Sequence, residues 1–170
     1  MVLTCVGAAP VCSATKSTRN LNPYHEQQLE SQIRKCASGV LACTDAEQRS
    51  LKQQELCQLL IRAERYDEAL QVSYNIYKSE ERATERRAAY HFMVAEIHNR
   101  KMKAARTTQE MDASRQDAIA AAQDVLNQKY PSNWHVSDYA RELVRELSDT
   151  TAMAKVRQRV ASRQGTGDIT

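Results

Sequence analysis

From Val40 to Tyr130 the chain carries no glycine and no proline. Glycine loosens a backbone, and proline removes a donor and clashes with the turn before it, so these two residues punctuate helices most strongly. A long run without them, rich in Ala, Leu, Gln, Glu and Arg, restricts the chain to helices joined by short polar links. The 170 residues suffice for one domain with a substantial core. Apolar residues make up 42% and charged ones 26%, the balance of a folded chain rather than a disordered one.

Apolar spacing divides the run into elements. Pro23 opens a first helix reaching about residue 43, with Leu29, Ile33 and Cys36 on one stripe and Gly39 a candidate interruption. Thr44 is expected to cap a second helix while Glu47, three residues on, closes the box. Its inward residues are Leu51, Leu56, Leu59, Leu60 and Ala63. Glu64–Arg65 is a tight link, so the next helix, about 66 to 79, must lie antiparallel to its predecessor. That helix turns Tyr66, Ala69, Leu70, Ser73, Ile76 and Tyr77 inward. A helix from about 82 carries Tyr90, Met93, Val94 and Ile97, and Ala89, Phe92 and Ala95 widen the stripe enough for contact on two sides. The polar stretch about 99 to 113 reads as a connection. Ala118, Ile119, Ala122, Val125 and Leu126 then define a helix that Pro131 ends. Ser132 or Asn133 caps a last helix, 133 to 149, with Val136, Tyr139, Ala140, Val144 and Leu147 inward. Residues 150–170 are expected to form a basic, poorly ordered tail.

Two hairpins in series thus have second helices that begin alike, "YDEALQVSYNIY" and "QDAIAAAQDVLNQKYP". The pattern resembles the tetratricopeptide repeat, W-x2-L-G-x2-Y, then A-x3-F, then P. In the first unit Leu56, Cys57 and Leu60 stand at the L, G and Y places, with Ala69 and Ser73 at the A and F places. In the second, Val94, Ala95 and His98 match the first trio, and Ala118, Ala122 and Pro131 the later places. Gln53 and His91 depart from the family by standing at the tryptophan place, and no proline closes the first unit. The aligned Ala69 and Ala118 are 49 apart, against a repeat of about 34.

The resemblance implies an all-α, right-handed antiparallel helical-hairpin solenoid over 23–149 with flanking helices at both ends. It also implies a protein–protein adaptor that holds a peptide or helix of a partner in a groove. The groove residues would be Gln53, His91, Phe92, Glu96 and Asn99, on the first helices of the hairpins. "QKYPSNWHVSDYARE" is similar to a junction in bacterial envelope repeat scaffolds, of the outer-membrane assembly lipoprotein and Tol–Pal coordinator types. That likeness implies a periplasmic or envelope location, with the cytoplasm as the alternative.

Residues 1–22 form either a flexible arm or the remnant of a signal peptide. The uncharged "MVLTCVGAAPVCSA" ends in the small Ser13 and Ala14, and the chain turns abruptly polar at Thr15. No basic residue precedes the apolar run, and Thr4 and Val11 do not suit a lipoprotein signal at Cys5 or Cys12. No apolar stretch of about 18 residues exists to span a membrane as a helix. Cys36 and Cys43 are about 10.5 Å apart along a helix, too far for a disulfide. Cys57 could face Cys36 across a hairpin, but buried apolar roles fit all three better.

No HExxH, GxSxG or glycine-rich phosphate loop occurs, so neither an enzyme nor a cofactor is expected. His91 and His98 share a helix face but are about 10.5 Å apart, which rules them out as a metal-ligating pair. Cys57 with His91 is a conceivable nucleophile pair, yet Cys57 stands where the repeat wants a buried residue. A net charge of +3 does not itself point to nucleic acid. Arg100, Lys101, Lys103 and Arg106 are nevertheless an acid-free basic stretch, and Lys155, Arg157, Arg159 and Arg163 form a second. An anion- or nucleic-acid-binding helical module is therefore the alternative to the adaptor, and a structural homo-oligomer a third reading.

Overall fold

The computed structural model describes residues 23–79, 84–128 and 135–164, with the side chains of all but 77–79, 84–89 and 164. Everything regular among them is helical. The helices are α1 (Pro23–Ala42), α2 (Ala46–Arg62), α3 (Tyr66–Ser79), α4 (Thr84–Ala104), α5 (Thr108–Asn127), α6 (Val136–Ser148) and α7 (Thr150–Gln164). Each of the first six packs chiefly on its neighbours in the chain, and the α4–α5 pairing is the most extensive.

Local chemistry sets the breaks. Asp45, not Thr44, caps α2: its backbone is extended and its Oδ1 accepts the Gln48 N–H at 2.8 Å. Both residues are good caps, and the helix starts one position later than the Thr44–Glu47 box would place it. At the other end of α2, Glu64 turns left-handed with φ 59°. The Arg65 N–H then reaches the Leu60 carbonyl at 2.9 Å and the Glu64 N–H reaches that of Ile61 at 3.1 Å. This paired closure lets α3 begin at once. Arg65 itself grips Glu68 with both arms at 2.6 Å and reaches back to Glu30 on α1 at 3.1 Å.

Residues 99–113 are not a long connection. α4 continues through Ala104, and α5 starts at Thr108 behind a full capping box. Thr107 Oγ1 accepts the Glu110 N–H at 3.1 Å, and Glu110 Oε2 accepts the N–H groups of Arg106 and Thr107. Met102, Ala105, Met111 and Ser114 are buried along this stretch, so its inner face is continuous although its composition is polar. Residues 150–164 are likewise helical rather than a loose tail. Asp149 Oδ1 caps α7 by accepting from Thr151 and Ala152, while Met153 and Val160 are buried. Gly39 lies inside α1 without interrupting it. The expected caps Ser132 and Asn133, the terminator Pro131 and the segment 1–22 lie outside the described residues.

Two apolar clusters form the interior, and α4 belongs to both. Met93 and Ile97 join Ile33, Leu56, Leu59, Leu60, Ile61, Ala69 and Ile76 on one side. Ala95 and Met102 join residues of α5, α6 and α7 on the other. The two-sided contact expected from the wide stripe on this helix is what the structure has. Leu51, by contrast, is not inward: it is 60% exposed, and Ser50 beside it is buried instead.

Candidate functional site

The small residues of the repeat-like pattern lie at buried positions. Cys57, Ala69, Ser73, Ala95, Ala118 and Ala122 are all at or near zero exposure. Cys57 Sγ sits 3.3 Å from Ser73 Oγ and 3.6 Å from the Ala69 carbonyl, so α2 and α3 approach closely at this point. Burial pushes the Cys57 thiol pKa up, with the Ser73 hydrogen bond acting weakly the other way. A protonated, enclosed thiol is a poor nucleophile. Cys36, Cys43 and Cys57 are free, and Cys36 Sγ points at the Lys52 carbonyl at 3.4 Å rather than at Cys57.

Of the five groove candidates, Phe92, Glu96 and Asn99 come together on one face of α4, as their spacing dictates. That face meets α6. The Phe92 and Tyr139 rings lie 4.6 Å apart between centroids, and the Tyr139 hydroxyl donates to Glu96 Oε2 at 2.5 Å. Arg100 Nε donates to the other Glu96 oxygen at 2.5 Å. Burial raises the Tyr139 phenol pKa, reinforced by its bond to Glu96, whereas the Asn99 amide acts in the opposite sense. Asn99 is 6% exposed and its Oδ1 has no donor among the described residues. These three residues therefore hold α6 in place. Tyr139 was legible as an inward residue, but a lone tyrosine in a helix gives no sign of which carboxylate it will reach.

His91 is half-buried with its ring edge toward Tyr90, 5.1 Å between centroids. Gln53 is half-buried on α2, and no hydrogen bond or ion pair among the described residues joins it to the other four. Its Oε1 and the Ser50 hydroxyl one turn earlier are buried without a partner among the described residues. Unsatisfied acceptors of this kind are costly, and a native structure carries few.

Three of the four cations in the basic stretch at the end of α4 lie beside acids. Arg100 is paired with Glu96, Lys101 Nζ lies 2.6 Å from Asp67 on α3, and Lys103 Nζ lies 3.6 Å from Glu146 on α6. Only Arg106 among the four is exposed with no acidic partner among the described residues. Lys101 and Lys103 thus link α4 to α3 and α6.

His98 faces α5, with Nδ1 3.5 Å from Asp117 Oδ2, and burial holds its pKa below the usual histidine value. Among the described residues no three His, Cys, Asp or Glu side chains are grouped as a metal site, and no helix is long and apolar enough to cross a membrane. Comparison of the chain with known protein families, with curated proteins and with solved structures finds no match.

Proposed function

We propose that the protein is a non-enzymatic adaptor of tetratricopeptide-like build, in which helical hairpins stacked as a solenoid hold a peptide or helix of a partner protein. The observation that carries this reading is the serial packing of α1 to α6, each on its neighbour in the chain, with small buried residues, Cys57, Ala69, Ala95 and Ala118, at the places where a helical repeat keeps its helices close. A stack of hairpins leaves a face along which a peptide or helix can lie. Because α6 covers Phe92, Glu96 and Asn99, the part of the groove left for a partner lies toward Gln53 and His91. On the same reading the protein works in the bacterial envelope, which the junction around Pro131 and the apolar start of the chain support.

Site-specific photocrosslinking in the source cells tests it. A photoreactive residue at His91 or Gln53 is expected to capture one defined partner, and the same residue at the exposed Gln123 of α5 to capture none. Self-crosslinks alone from positions 53 and 91 would show that the groove is filled by this chain and would overturn the adaptor.

A further inference from the structure

We infer that the end of the molecule formed by α7 and the α4–α5 turn is a docking surface for an acidic, extended segment of a partner protein. It lies apart from the Gln53–His91 region and does not depend on that groove being used. The argument begins with charge. α7 carries Lys155, Arg157, Arg159 and Arg163 and no acidic residue, more than the net +3 of the whole chain. The rest of the protein therefore has no positive excess.

Among the described residues, the acids at this end are already engaged. Asp112 holds Arg157 Nη2 at 2.7 and 2.8 Å, and Glu146 faces Lys103. Glu110 and Asp149 accept backbone N–H groups at the starts of α5 and α7. Arg106, Lys155 and Arg159 are left exposed, with no acidic partner among the described residues. Arg163 Nη1 donates to the Lys103 carbonyl at 3.3 Å, which ties the end of α7 to the end of α4 and so to Arg106 three residues on.

Spacing selects the partner. Lys155, Arg159 and Arg163 follow one another on one side of the helix at steps of about 6 Å. An extended peptide presents alternate side chains on one side about 6.6 Å apart. Acidic residues at every second position of such a segment would each meet a cation. A membrane surface fits less well, because the apolar residues α7 would insert, Met153, Val156 and Val160, are packed into the core. A single-stranded nucleic acid fits less well too, since α7 offers no aromatic side chain for stacking.

The test is a fluorescence-anisotropy titration of labelled poly-L-glutamate with the full chain. Lys155→Gln/Arg159→Gln is compared with Arg34→Gln/Lys35→Gln, two exposed cations on α1. The first pair should weaken binding about fivefold, mid-range for losing two exposed charge contacts, with unchanged thermal melting. The second pair should change it less than about twofold, and added salt should weaken binding to the unsubstituted chain. Equal losses in the two variants, no binding of the probe, or tighter binding to oligo-dT or to phosphatidylserine vesicles would each overturn the proposal.

Discussion

On the N-terminal side of α4 the interior is filled by branched aliphatics, among them Ile33, Leu56, Leu60, Ile76 and Ile97. On its C-terminal side six alanines, Ala95, Ala105, Ala118, Ala121, Ala122 and Ala140, share the space with Met102, Met111 and Met153 and with only four branched aliphatics, Val125, Leu143, Leu147 and Val160. Each of the large side chains on the first side accounts for much buried area. Alanines let backbones approach, and the gain is spread over many small contacts. One helix thus joins a core sensitive to losing atoms to a core sensitive to gaining them.

Ile97→Ala carries the largest expected effect. Ile97 is fully buried on the aliphatic side, so truncation should destabilise by about 2–5 kcal/mol, read from urea unfolding followed by circular dichroism. A cost under about 1 kcal/mol would mean that this side collapses around the cavity, and the contrast would fail. The converse change is Ala122→Leu in α5, within the alanine-rich core, where overpacking should cost about 1–3 kcal/mol. A stabilised Ala122→Leu protein would reveal unfilled space there. Tyr139→Phe keeps the ring against Phe92 but removes the donor to Glu96, for a loss of about 1 kcal/mol in the same measurement. No change there would show that Arg100 alone satisfies Glu96 and that α6 is held by packing.

The same contrast explains what could be read from the residues. The aliphatic half was legible: α3 spans 66 to 79 as its periodicity requires, and α2 differs mainly in starting one residue late. The alanine–methionine half was less so. Met102 and Met111 are isolated in polar surroundings, and alanine is common on either face of a helix, so residues 99–113 looked like a connection. Thr107 with Glu110 three residues on was the signal that could have located the break. In α7 the apolar stripe is only Met153, Val156 and Val160, too sparse to stand out beside four basic residues. For the candidate site, that Phe92, Glu96 and Asn99 share a face of α4 follows from helical spacing alone. What covers that face depends on where α6 folds back, a long-range choice no local pattern encodes.

The smallest expected effect lies at the seam between α4 and α5. His98 extends from α4 toward Asp117 on α5, and burial lowers its pKa more than the Asp117 carboxylate raises it, with Lys101 also lowering it. The unfolded chain takes up a proton near the ordinary value of about 6.5, whereas the folded chain resists doing so. In that interval the unfolded state binds more protons, so stability rises with pH. The stabilisation is complete above about 6.5 and declines as the pH falls through that value toward the depressed folded pKa. Unfolding at pH 7.5 and 5.5 should therefore show a loss on acidification that His98→Gln reduces. If Asp117 governed the site instead, acidification would strengthen the seam and His98→Gln would remove a gain. The sign of that difference separates a dry alanine interface, in which a proton is unwelcome, from one open enough for the ion pair to dominate.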